Sequence, residues 1–136
     1  MNTKNSAVAL GLLCTFFASC SREQPPTTPL FDNLGSYHFA VTTSNDLAQR
    51  YFDQGLRLVY GFNHDEAERA FREAANLDPN SAMAWWGVAL SLGPNINLPL
   101  DAARNQRALD AVQKAQSLAS MASEKERAYI DAIAVR

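Results

Sequence analysis

Apolar residues recur with the period of an α-helix from residue 44 to the end of the chain. One predicted helix face holds four residues at intervals of four, three and four: Tyr51, Gly55, Leu58 and Phe62. A second run carries small and aromatic apolar residues at helical spacing: Ala67, Ala70, Phe71, Ala74 and Leu77. The pattern predicts an all-α fold.

Capping and breaking residues divide this region into helices. The first begins after Ser44 or Asn45-Asp46, whose side chains can cap a helix. It ends at the break from Gly61 to His64. The acidic pair Asp65-Glu66 opens a second helix, because the helix dipole favours negative charge there. The turn Asp78-Pro79-Asn80 ends it.

The same signals predict three more helices. A third helix starts at Ser81 and runs to about residue 92, followed by a loop at 93–99 with two prolines. A fourth spans about 101–119. Ser123 to Glu126 has the spacing of a capping box and predicts a last helix that reaches the end of the chain.

The helical region repeats itself. Residues of similar type recur at one fixed distance along the chain, which is the distance from Tyr51 to Trp85. The same distance, which we call the short shift, separates Gly55 from Ala89 and Leu58 from Leu92. The second helix matches the fourth under a longer shift, because the loop at 93–99 is inserted between them. This long shift pairs Ala67 with Ala108, Phe71 with Val112, and Ala74 with Ala115.

This pattern resembles the tetratricopeptide repeat. Seven positions agree with that family in order and spacing: Tyr51, Gly55, Leu58, Ala67, Phe71, Ala74 and Pro79. Trp85 and Ala89 continue the packing stripe into the next repeat. The resemblance implies an α-solenoid of helix-turn-helix repeats at about 48–81 and 82–122, with a partial third at 123–136. Gln54 stands where the family prefers leucine.

A second stripe of apolar residues lies beside the packing stripe. It consists of Phe52, Leu56, Tyr60, Met83, Trp86 and Leu90. In tetratricopeptide proteins this side of the first helix lines a concave groove, so the resemblance implies a floor for a partner protein or peptide. Two alternatives to an external partner remain open, which are the segment at 30–43 and further repeats of the same chain.

The first residues read as a targeting signal. A polar start with Lys4 precedes a mostly apolar run from Ser6 to Ala18, and small residues then precede Cys20. This ending resembles the lipobox of bacterial lipoproteins, although Phe17 stands where that motif has an aliphatic residue. The resemblance implies a signal peptide over 1–19 and a lipid on Cys20. An ordinary secretory signal cleaved near Ala18 is the alternative.

The segment after Cys20 links this signal to the helices. Residues 20–29 are polar and rich in proline, which predicts a semi-extended tether. Residues 30–43 mix apolar and polar types and are expected to form an irregular arm on the first helix. A lipid-anchored protein of the cell envelope, facing the periplasm, follows from the lipobox resemblance. Ser21 rather than Asp after Cys20 favours the outer membrane.

Charge and cysteine content narrow the function further. Without Lys4 the mature chain has 11 basic and 14 acidic residues, so its charge gives no reason to expect nucleic acid as a partner. Of the two cysteines, Cys14 is lost with the signal, which leaves none to pair with Cys20.

No residue pattern indicates catalysis, a cofactor or a metal site. The two histidines, His38 and His64, fall in the arm and in a turn, and a metal site needs about three converging ligands. We therefore expect a non-catalytic scaffold. The alternative is the first part of a larger tetratricopeptide protein with an enzymatic or ligand-sensing portion beyond Arg136. The chain from residue 30 onward resembles the start of such bacterial proteins at Arg50 to Leu56, Tyr60 to His64 and Gly93 to Asn97.

Overall fold

The computed structural model describes residues 27–97, 99 and 101–136, and this part of the chain is all-helical. It contains five α-helices, a single 3₁₀ turn at Ala119–Met121 and no strand. The helices are α1 (Asp46–Tyr60), α2 (His64–Leu77), α3 (Ala82–Leu92), α4 (Ala102–Ser117) and α5 (Glu124–Ala134). The all-α class is confirmed. The predicted signal peptide, Cys20 and residues 21–26 lie outside the described residues.

Each helix begins at a side chain that accepts hydrogen bonds from its first turn. Asn45 Oδ1 accepts from the backbone N–H groups of Leu47 and Ala48 at 2.9 and 3.1 Å. Asparagine, serine or aspartate occupies the same position at the other four helices: Asn63, Ser81, Asp101 and Ser123. Such caps stabilise a helix by about 1 kcal/mol each. The expected starts at Asn45 and Ser81 and the capping box at Ser123 are confirmed, while α2 starts one residue earlier than expected.

Phe71 of α2 occupies the centre of the core between two glycines. A Cβ atom added to Gly55 of α1 would lie 2.6 Å from the Phe71 ring, and one added to Gly87 of α3 would lie 2.5 Å from its Cγ. Carbon atoms in contact normally lie about 3.5–4.0 Å apart. Both neighbouring helices therefore need glycine to approach the ring, which is fully buried.

The expected packing stripe is buried along most of its length. Its members on α1, α2 and α3 are buried except for Trp85, which is half-buried, and Pro79 lies exposed in the turn after α2. The short shift did not identify Gly87, because it pairs Gly55 with the buried Ala89 instead. A single period cannot specify which of two small residues on α3 meets an aromatic ring from α2.

α5 completes the bundle by packing against both α3 and α4. Ile130 is its one fully buried apolar side chain. In the part of the chain that the structure describes, no helix is long and apolar enough to cross a membrane.

Candidate functional site

The arm lies along α1 in an extended conformation from Tyr37 to Val41. Three polar side chains of α1, spaced four residues apart, bind its main chain. Gln49 accepts a hydrogen bond from the N–H of Val41 at 2.9 Å and donates one to the carbonyl of Phe39 at 3.0 Å. Asp53 accepts from the N–H of Phe39 at 3.0 Å. Arg57 donates from Nε to the carbonyl of Tyr37 at 2.8 Å.

The spacing of these contacts follows from the geometry of the two segments. Four residues of an α-helix advance about 6 Å, and two residues of an extended chain advance about 6.6 Å. Every second arm residue therefore meets every fourth residue of α1. Because the bonds involve main-chain atoms of the arm, this ladder of Gln49, Asp53 and Arg57 binds an extended segment largely without regard to its side chains.

Phe39 supplies the apolar contact between the arm and the helices. Its ring lies 6.3 Å from that of Phe52 on α1 and 5.7 Å from that of Tyr129 on α5, measured between ring centres. The ammonium of Lys125 lies 4.6 Å from the centre of the ring. Trp86 extends this cluster, since its indole N–H donates to the carbonyl of Tyr129 at 3.0 Å.

The expected groove floor is largely covered in this structure. Phe52, Leu56 and Met83 are only 1, 4 and 2% exposed, so these three residues do not form an open floor in this structure. Trp86 and Leu90 are half-buried. Tyr60 is 65% exposed and meets Tyr37 of the arm edge-on. At Phe52 the structure shows the alternative in which the arm itself occupies the groove, since Phe39 of the arm lies against this residue.

Glu126 fixes the end of the arm to α5. It accepts hydrogen bonds from the backbone N–H and the hydroxyl of Thr42, both at 2.6 Å, and from the N–H of Ser123 at 2.7 Å. Burial raises the pKa of Glu126, but the hydrogen bonds from Thr42 and Ser123 outweigh it and hold the pKa below its ordinary value. The sequence identified Glu126 as a capping residue but gave no sign of this second role.

The described end of the tether lies on a different set of α1 residues. Tyr51 donates its hydroxyl to the carbonyl of Thr28. Glu73 of α2 accepts from the N–H and hydroxyl of Thr27 at 3.3 and 2.9 Å. Gln54 donates to the carbonyl of Pro29 at 2.9 Å and accepts from the N–H of Phe31 at 2.8 Å. These contacts explain why an amide, rather than an apolar side chain, occupies position 54.

The chain turns between these two segments at Gly35, whose φ of 78° lies in the left-handed region. The segment therefore passes α1 twice, first through Thr27 to Phe31 and then through Tyr37 to Val41. Together the two passes cover two sides of the first helix.

The histidines lie in different settings. Nδ1 of His38 lies 2.7 Å from the carboxylate of Asp53, at the surface of the arm. Both ring nitrogens of His64 are buried and bond to no described residue. Burial, followed by the charge of Arg104, lowers the pKa of His64, so the ring is neutral at pH 7. Within residues 27–97, 99 and 101–136, no three His, Cys, Asp or Glu side chains are grouped to hold a metal ion.

Arg104 is a structural residue that the sequence did not reveal. Its buried guanidinium donates to the carbonyls of Ser91 and Leu92 at 2.7 and 3.0 Å, which completes the end of α3. In the loop that follows, Asn95 accepts a hydrogen bond from the N–H of Asn97 at 3.0 Å, so its side-chain oxygen serves its own turn.

Three features of the arm's binding site are therefore defined. They are a ladder that binds main-chain atoms, an aromatic cluster around Phe39, and a carboxylate anchor at Glu126. No protein-family model, curated protein or solved structure matches this chain.

Proposed function

We propose that this chain is a non-catalytic scaffold of the tetratricopeptide type whose concave face binds an extended peptide segment of a partner protein. The two constant shifts, which relate α1 to α3 and α2 to α4, support the repeat assignment. So does the packing, in which α2 lies against both α1 and α3, and α4 against both α3 and α5. Arrays of this kind present extended surfaces for binding other proteins.

The ladder on α1 is the observation that carries this proposal. Gln49, Asp53 and Arg57 bind the backbone of an extended segment, which is how many peptide-binding proteins gain affinity. Specificity comes from the site of Phe39, which takes an aromatic side chain between α1 and α5. The partner segment would thus carry an aromatic residue followed two positions later by an aliphatic one, as Phe39 and Val41 do.

A partner reaches this surface by displacing the arm. Burial of a phenylalanine side chain contributes roughly 1.5–3 kcal/mol, and each hydrogen bond of the ladder about 0.5–1.5 kcal/mol. The arm also competes better than a segment of another molecule because it belongs to the same chain. Short flexible linkers give an effective concentration in the millimolar range. The arm therefore limits binding to partners that match its contacts closely.

The proposal places this scaffold at the bacterial cell envelope through a lipid on Cys20. Cys20 precedes Thr27, the first described residue, by seven positions, which an extended chain spans in at most about 25 Å. Thr27 and Thr28 are bound to α2 and α1. A lipid on Cys20 would hold this end of the helical domain close to the membrane surface.

A labelled peptide with the sequence of residues 36–44 tests the concave-face proposal in the full chain. Phe39→Ala weakens the resident arm, so the free peptide should bind this variant about tenfold to a hundredfold more tightly than the parent, as measured by fluorescence anisotropy. Phe31→Ala is the control, because Phe31 is an exposed arm residue whose ring lies outside the cluster. The same peptide with alanine in place of phenylalanine should bind neither variant. Equal binding to both variants would refute the proposal.

A further inference from the structure

A cavity lies among α2, α3 and α4, and it shares no lining residue with the arm's binding site. It has a volume of about 330 Å³ and opens between α2 and α4. This volume lies in the range typical of ligand pockets, about 300–1,000 Å³. Its lining residues are Arg72, Trp85, Arg107, Asp110, Ala111 and Lys114. We refer to these six residues as the Trp85 pocket.

The repeat relates this pocket to the place where the tether binds. The short shift, which relates α1 to α3, takes Tyr51 to Trp85, and the long shift, which relates α2 to α4, takes Glu73 to Lys114. In the first pair of helices, Tyr51 and Glu73 hold the main chain and hydroxyl of the tether segment Thr27-Thr28. The Trp85 pocket is thus the counterpart of a surface that already binds a non-helical segment of the chain.

The aromatic donors at the two places differ in one respect. The hydroxyl of Tyr51 donates to the carbonyl of Thr28. The indole nitrogen of Trp85 is buried and donates to no acceptor among the described residues. Because this nitrogen is closed to solvent, a bound segment would contact the ring of Trp85 rather than its N–H.

The charges at the two places are opposite. Under the long shift, three charged residues of α2 are replaced by residues of the opposite sign on α4: Glu66 by Arg107, Arg69 by Asp110, and Glu73 by Lys114. The formal charges of the three residues on α2 sum to −1, and those of the three residues on α4 sum to +1. A surface that accepts hydrogen bonds from a neutral segment in the first pair becomes one that favours an anionic segment in the second.

Not every basic side chain around the pocket is paired with an acidic one. Glu68 pairs with Arg72 at 2.8 Å and more distantly with Arg107 at 3.4 Å. Asp110 accepts a hydrogen bond from Gln106 at 2.8 Å. Lys114 forms no ion pair within the described part of the chain, and it is exposed.

We infer that the Trp85 pocket binds an extended acidic peptide segment, with its carboxylates at Lys114 and Arg107 and its chain against the ring of Trp85. The occupant is an acidic segment rather than a neutral one because Lys114 replaces the glutamate that binds Thr27 in the first pair. This second site does not depend on the concave face, so a partner could engage both.

Fluorescence anisotropy with the full chain tests this inference. The probes are two labelled, end-blocked peptides, hexaglutamate and hexaglutamine, and a labelled oligonucleotide of six thymidines. We expect hexaglutamate to bind and hexaglutamine not to bind. Lys114→Gln should weaken hexaglutamate binding by up to about fivefold, the range for exposed ion pairs, and Lys114→Glu should weaken it further because it adds a repulsive charge. Trp85→Phe should weaken it while leaving the charge unchanged.

Arg69→Gln is the matched control, because it removes a cation that pairs with Glu66 on α2 and does not line the pocket. It should leave hexaglutamate binding unchanged, and circular dichroism should show that all variants keep their helices. If Arg69→Gln and Lys114→Gln weakened hexaglutamate binding equally, binding would depend only on the net charge of the protein, and the inference would be overturned. An absence of hexaglutamate binding would also overturn it, as would tighter binding of the oligonucleotide than of hexaglutamate.

Discussion

Replacing Gly87 by alanine should destabilise the protein although alanine is the better helix former. The added Cβ would lie 2.5 Å from Cγ of Phe71 and closer still to two other ring atoms. Relief requires the ring or α3 to move by about 1 Å, since carbon contacts normally lie about 3.5–4.0 Å apart. The ring also lies close to α1, because a Cβ on Gly55 would lie 2.6 Å from it.

The size of the effect follows from two opposing contributions. Overpacking of a filled core costs typically about 1–3 kcal/mol. Replacing glycine by alanine within a helix contributes about 0.5–1 kcal/mol in the opposite direction. We therefore expect Gly87→Ala to lower the free energy of unfolding by up to about 2.5 kcal/mol. Urea denaturation followed by helical circular dichroism measures this directly.

A double mutant separates the clash from other causes. In a Phe71→Leu background the ring is absent, so Gly87→Ala should become stabilising by about 0.5–1 kcal/mol. Asn76→Ala, at an exposed position of α2, provides the reference for helix propensity alone. If Gly87→Ala stabilises the parent protein as well, then α3 does not contact Phe71 and the packing described above is wrong.

Three further changes test single contacts. Glu126→Gln should weaken the attachment of the arm. Because the folded state lowers the pKa of Glu126, the stability that this carboxylate contributes is present above its unfolded pKa and is lost as the pH falls. In thermal melts the variant should therefore lose less stability than the parent between about pH 6 and pH 3. Phe62→Gly should raise the stability to urea by about 1 kcal/mol, because Phe62 has a φ of 58° that disfavours a side chain. Arg104→Met should lower the melting temperature, with a loss of about 1–3 kcal/mol, since it leaves the carbonyls of Ser91 and Leu92 without their donor.

The sequence predicted most of the helix boundaries because they depend on local interactions. Asn45, Ser81 and Ser123 cap helices through bonds that span at most three residues, and such bonds leave a recognisable spacing. The small residue at Gly55 was also identified, since the close approach of two helices demands it. In each case a single position is constrained by a neighbour in the same helix or in the next one along the chain.

The coverage of the groove could not be predicted in the same way. Periodicity shows which residues share a helix face, but not whether a distant segment covers that face. Phe39 is far from both Phe52 and Tyr129 along the chain, yet its ring lies close to both. The sequence shows Gln54 as a departure from the tetratricopeptide pattern that it resembles, but it does not show that this amide binds Pro29 and Phe31.

Long-range polar contacts left no pattern at all. Arg104 looks like any charged residue of a helix, and its bonds to Ser91 and Leu92 arise only because α3 and α4 are antiparallel neighbours. Glu126 fits its capping box completely, so nothing pointed to its bonds with Thr42, which lies 84 residues earlier. When a local interaction fully accounts for a residue's type, the sequence gives no sign of an additional long-range contact.

Hydrogen exchange of the arm's amides tests the proposed binding surface most directly. The N–H groups of Phe39 and Val41 bond to α1, whereas that of Ala40 bonds to no described residue. We expect slower exchange at Phe39 and Val41 than at Ala40, yet faster exchange than at the core residue Phe71, because a displaceable arm must open without global unfolding. Equal exchange at all three arm amides would show that the ladder does not form. Exchange at Phe39 as slow as at Phe71 would show that the arm is a permanent part of the core, which contradicts a displaceable occupant.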